Sequence, residues 1–137
     1  MSSVSLPADT SAASAARRFV RDALSGAGLR DEAVSDVELL VSELVTNAVI
    51  HARSASRVTI DYDGSRVRVT VADESPARPE LLDRGAHSVT GRGLLLVQQI
   101  AHRWGVDIPG EPAAKRVWFE LDVAPATWVA RRSRTSR

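Results

Sequence analysis

Two runs of alternating apolar residues, separated by an Asp-Gly pair, restrict this chain more than any other feature. Val58, Ile60 and Tyr62 alternate with polar neighbours, as do Val67, Val69 and Val71, and Asp63-Gly64 between them is a strong signal for a tight hairpin. Successive side chains on a strand point to opposite faces, so each run has one apolar side and one polar side. A sheet of this kind buries one face and needs helices to cover it. Asp73 continues the series of Val67, Val69 and Val71, which aims a carboxylate toward the covered face where the strand ends. A carboxylate there needs a partner.

The covering helices are legible by their spacing. Ala16, Phe19, Val20 and Ala23 predict a first helix over 12–24, stopped by Gly26 and Gly28. A second starts near Asp31, with Asp31 and Glu32 favourable to its positive end, and runs through Val34, Val37, Val41, Leu44 and Ala48 to about His51. Leu94, Val97, Ala101 and Trp104 recur at helical spacing behind Gly91-Arg92-Gly93, which therefore opens a third helix. A strand around 104–108 and a closing strand carrying Val117, Phe119, Leu121 and Val123 complete the pattern. Between Pro76 and the third helix, residues 84–93 read as a mobile loop. Residues 1–11, rich in Ser, Ala and Pro, read as a flexible leader.

Composition excludes several classes of protein. With 137 residues and 44% hydrophobic content, one domain with a real core is expected. The absence of cysteine removes disulfide frameworks, thiolate metal sites and cysteine nucleophiles. The start shows no secretory signal and no apolar run reaches the roughly 20 residues that cross a bilayer, so a cytoplasmic protein without membrane contact is expected. Four of the 18 basic residues are Arg131, Arg132, Arg134 and Arg137, which leaves 14 against 17 acidic residues in the body. The tail, 125–137, reads as a disordered solubilising end. Only 4% of residues are aromatic, which argues against nucleic-acid binding.

Chemistry concentrates in the stretch Glu43-Leu-Val-Thr-Asn47-Ala-Val-Ile-His51. At roughly 3.6 residues per turn, Glu43, Asn47 and His51 stand one above another on a helical face, beside the apolar stripe of Leu40, Leu44 and Ala48. A carboxylate and an amide oxygen one turn apart suit a metal and a reacting water or hydroxyl. Asp73 is either a turn aspartate ahead of Pro76 or an acceptor for an amino group on a bound base. Gly91-Arg92-Gly93 is either a plain turn into a helix or a phosphate cradle, where free backbone N–H groups and the positive helix end meet.

The order of these motifs resembles the GHKL, or Bergerat, ATP-binding fold. Within it the chain is similar to small stand-alone bacterial regulators related to anti-sigma factor serine kinases. The likeness covers 12–124, with "Glu-Leu-Val-Thr-Asn-Ala-Val-Ile-His-Ala" and "Gly-Arg-Gly-Leu-Leu-Leu-Val" specific as a pair. It implies an α+β, two-layer sandwich with helices on one face of a mixed, mostly antiparallel sheet. It also implies ATP and Mg2+ as cofactors. By this resemblance Asn47 coordinates magnesium and Glu43 is the general base or orienter of the attacking hydroxyl. Asp73 accepts the adenine amino group, and Gly91, Arg92, Gly93 and Leu94 form the lid and helix start around the phosphates. His51 either lines the phosphate end or makes a helix-terminal hydrogen bond.

One departure from the family pattern stands out. Members commonly carry Asp-x-Gly-x-Gly at the base-binding motif, whereas this chain has Asp73-Glu74-Ser75-Pro76-Ala77. Pro76 fixes its own φ and biases Ser75 toward extended geometry. Ser75 and Ala77 are still small enough for a base to approach. The resemblance implies a serine/threonine kinase that phosphorylates an anti-anti-sigma-like protein and sequesters a sigma factor. The alternative is a non-catalytic ATP-binding module, and a homodimer through the first helix is compatible with either. The ATP-binding half of a histidine kinase ranks last, since no upstream phosphoacceptor helix is expected.

Overall fold

The alternating runs become the central hairpin of a sheet. The computed structural model describes residues 1–73, 91–107 and 115–123. Its elements are β1 (Ser2–Leu6), α1 (Ala12–Leu24), α2 (Asp31–Asn47), a π-helical turn (Ala48–Ala52), β2 (Ser56–Tyr62), β3 (Arg66–Asp73), α3 (Gly91–Ile100), β4 (Arg103–Asp107) and β5 (Arg116–Asp122). The five strands lie in the order β1-β2-β3-β5-β4, and every described pair is antiparallel. This is the α+β two-layer sandwich that the resemblance implies.

Register explains why the covered face is continuous. Val58 faces Val71, Ile60 faces Val69, and across the next seam Val67, Val69 and Val71 face Leu121, Phe119 and Val117. All eight are buried, and full burial of a valine contributes about 1.5–3 kcal/mol. From the other layer, α1 contributes Ala12, Ala16, Val20 and Leu24, one residue per turn along one stripe. From α2 come Val37, Leu40, Val41, Leu44 and Val45. These residues form a single apolar cluster with the sheet. Among the described residues no helix is long and apolar enough to cross a membrane.

The opposite face of the sheet is polar and cross-linked. Glu120 accepts from Arg68 Nη1 at 2.7 Å and from Arg103 Nε at 2.7 Å, while Asp122 pairs with Arg66 at 3.4 Å and with Arg103. These hydrogen bonds, from Arg103 first and then Arg68, hold the Glu120 carboxyl below its ordinary range. The Arg68 guanidinium stacks over the Trp118 ring, 4.2 Å from its centroid. Beside the ring, Gly105 leaves no room for a side chain: a Cβ there would stand 2.6 Å from Trp118 Nε1.

Three expectations are corrected. Ser2–Leu6 is a strand, not part of a flexible leader: it pairs along the whole of Ser56–Ile60, because the outer edge of β2 offers unpaired N–H and C=O groups. The hairpin turn is shifted by one residue. Its central pair is Gly64-Ser65, with Gly64 at φ 100°, while the Asp63 amide donates to the Arg66 carbonyl and the Asp63 carboxylate accepts from the Ser65 and Arg66 amides. Lastly, α-helical winding ends at Asn47 rather than near His51. The segments 84–90 and 125–137 lie outside the described residues.

Candidate functional site

Antiparallel order gathers one end of several elements at one edge of the fold. β3 ends at Asp73, β2 begins opposite it at Ser56, and β5 begins at Arg116 opposite Ala72. The π-helical turn ties the end of α2 to the start of β2, since the Ser54 amide donates to the Ala48 carbonyl at 3.1 Å. Asn47, Ser56, Asp73 and Lys115 therefore belong to the same end of the sandwich. Glu43 lies one α-turn before Asn47 and is partly buried.

The helix that carries Glu43 and Asn47 ends in an unusual way. The Ala48 carbonyl accepts from the Arg53 amide, five residues on, as well as from that of Ser54. Arg53 then turns the chain at φ 49°, a left-handed conformation that costs a non-glycine residue roughly 1–2 kcal/mol. Wider winding means that position 51 is not one α-turn above position 47. The row read from the sequence thus holds for Glu43 and Asn47 and does not extend in register to His51, whose side chain lies outside the described part. Isolated π turns of this kind occur often at functional sites.

Asn47 bears an observation that helix formation does not explain. Its Nδ2 is buried and has no hydrogen-bond partner. An orphaned buried amide is costly, about 1–3 kcal/mol, and a half-turn of the side chain presents oxygen in place of nitrogen. This fits the magnesium that the resemblance implies. Mg2+ keeps several waters and takes one or two protein oxygens beside phosphate oxygens. Accordingly, it requires no protein cage, and the described residues contain no cluster of three or more His, Cys, Asp or Glu.

Asp73 lies where strand parity predicts, on the covered face with only 4% of its surface exposed. Its amide donates to the Lys115 carbonyl at 3.0 Å. Lys115 is half-buried, and that burial pushes its ammonium below the ordinary lysine value, against the opposing pull of the Asp73 charge. Ser56, the register partner of Asp73, is fully buried and its Oγ has no partner. Neither Lys115 nor Ser56 was singled out from the sequence. Parity alone could have found both: Ser56 precedes Val58 and Ile60 on the inward series of β2, and Lys115 precedes Val117 and Phe119 on that of β5.

Helix α3 begins at Gly91, as predicted. The first four amides of a helix, here those of Gly91, Arg92, Gly93 and Leu94, have no partner within it and point along its positive end. The side chains of these four residues, and the whole of Ser75 and Ala77, lie outside the described part. α3 packs against α2 and β4. It therefore shares the helical layer with Glu43 and Asn47.

Comparison with protein families gives one match over residues 6–120, to the model described as histidine kinase-like ATPase domain. No curated protein matches the chain.

Proposed function

The chain belongs to the histidine kinase-like ATPase domain family, and on that premise we propose that it binds magnesium-ATP and phosphorylates a serine or threonine of a small anti-anti-sigma-like protein. In such partner switching it would hold a sigma factor whenever the phosphorylatable partner is unavailable. The observation that carries the reading is the unpartnered buried amide of Asn47, one turn beyond Glu43, at the same end of the fold as the buried Asp73.

Each residue has a part that its chemistry allows. Asp73 accepts the amino group of adenine, and Ser75 and Ala77 leave space for the base. The Asn47 side-chain oxygen would hold the cation, which when bound would neutralise charge on the phosphates. Amides at Gly91 to Leu94 cradle phosphate oxygens, Arg92 adds a charge-assisted contact, and His51 flanks the phosphate end. Glu43 orients or deprotonates the attacking hydroxyl. Phosphoryl transfer asks little more of a protein than placement and electrostatic stabilisation, so this small set suffices.

Labelled ATP mixed with candidate partner proteins tests the proposal. Transfer is expected with the wild type and should be lost in Glu43→Gln and Asn47→Ala. Undiminished transfer by both variants would overturn it. A second reading, a non-catalytic ATP-binding regulator, draws on Asp73-Glu74-Ser75-Pro76-Ala77, which lacks glycine at 75 and 77. Calorimetric binding of magnesium-ATP, with no transfer to any partner, would favour that module.

A further inference from the structure

The inner face of the central hairpin is apolar except at one end. Val58, Ile60, Val67, Val69 and Val71 line it, and the two exceptions, Ser56 and Asp73, face each other in the last register position. Among the described residues only two buried side-chain atoms lack a hydrogen-bond partner, Asn47 Nδ2 and Ser56 Oγ. The first is accounted for by the cation and phosphates of the proposed function. The second has no part in that reading.

Ser56 is 0% exposed, and on its other side it pairs with Leu6, itself buried. A hydroxyl enclosed in this way gains nothing for the fold, because it forgoes water and bonds to no protein group. Alanine would fill the same strand position without that loss. Cross-strand partners have Cβ atoms about 4.5–5.5 Å apart, so both Ser56 and Asp73 are within reach of one edge of a planar base. An ionised carboxylate can only accept hydrogen bonds, whereas a hydroxyl also donates one. Adenine presents, side by side on one edge, an amino group that donates and a ring nitrogen, N1, that accepts.

We propose that Ser56 is a second base-recognising residue, its hydroxyl donating to adenine N1 while Asp73 accepts from the amino group. The assignment rests on the ATP reading above. It makes the pair selective for the purine edge as a unit: Asp73 reads the donor and Ser56 reads the acceptor.

Titration calorimetry with magnesium-ATP and with 1-deaza-ATP, which lacks the N1 acceptor, tests it on the full chain. Wild type is expected to bind ATP about ten-fold more tightly than the deaza analogue, the difference made by one hydrogen bond in a buried site. Ser56→Ala should weaken ATP binding by about the same factor, leave the analogue unchanged, and so abolish the preference. The melting temperature of nucleotide-free Ser56→Ala should equal or exceed that of wild type, since an unpaired buried hydroxyl is lost. A variant that binds ATP like wild type, that weakens both nucleotides equally, or that melts lower without nucleotide would overturn the assignment and leave the ATP reading standing. Wild type that binds no ATP would remove that reading, and this one with it.

Discussion

The Asp73 amide donates to the Lys115 carbonyl at 3.0 Å, which brings a buried carboxylate and a half-buried ammonium to the same end of the β3–β5 seam. The two charges attract, yet burial costs Lys115 more than Asp73 returns, so its ammonium is held below the ordinary value of 10.5. Between the lowered value and 10.5 the unfolded chain binds the extra proton, so stability rises with pH across that window. Below it, the cost of the buried charge is present in full. Lys115→Met should therefore raise the urea midpoint at pH 7, and the advantage should shrink as pH approaches 10. An advantage independent of pH would show that packing, not charge, sets the effect.

Asp73→Asn tests the other member of the pair. The amide can still accept one hydrogen bond but turns a donor toward the base, and a mispaired polar group in a buried site costs roughly 2–3 kcal/mol. Affinity for magnesium-ATP should fall about 30- to 150-fold by calorimetry, with the far-ultraviolet dichroism unchanged.

On the opposite face, Gly105 and Trp118 should prove inseparable. A Cβ at position 105 would lie 2.6 to 2.8 Å from three atoms of the indole, and Arg68 stacked on that ring limits its retreat. Gly105→Ala should lose about 1–3 kcal/mol in urea unfolding, as overpacking does. Adding Trp118→Leu should restore part of it. Additive losses in the double variant would separate the two positions.

Acid should disclose the Glu120 network. Its carboxyl is held low by Arg103 and Arg68, so its contribution is complete above the ordinary carboxylate range and is lost as pH falls through the lowered value. Glu120→Gln should be less stable than wild type at pH 7, by about 1 kcal/mol or less for a bridge at this partly solvated surface, and the two should converge in acid. A constant gap down to pH 2 would assign the loss to packing.

Much of this was legible in the sequence because alternation and helical spacing are local signals. Val67, Val69, Val71 and Asp73 follow parity to the last residue, and Gly91 opens its helix as the glycines suggest. Other features depend on partners far away in the chain. Ser2–Leu6 carries only Val4 and Leu6 as apolar marks, and it becomes a strand because β2 presents an open edge. Glu120 looks like an ordinary outward residue until register places Arg68 and Arg103 beside it. The π-helical turn carries neither glycine nor proline at Ala48–Ala52, so no breaker marks it. Ser56 and Lys115 stood on readable faces, but a small hydroxyl and a single lysine are conspicuous only once their burial is known.

That turn also has a bearing on length. Bonding from one residue to the fifth along closes a loop one residue larger than the α-helical one. Deleting a single residue between 48 and 52 would let the helix continue in α form and would shorten the connection to β2. The link 53–55 would then have to stretch to keep Ser56 opposite Asp73, because the buried face of β2 holds its register. Spacing in this segment is thus a constraint of its own, and substitutions away from His51 should be accepted there more readily than insertions or deletions.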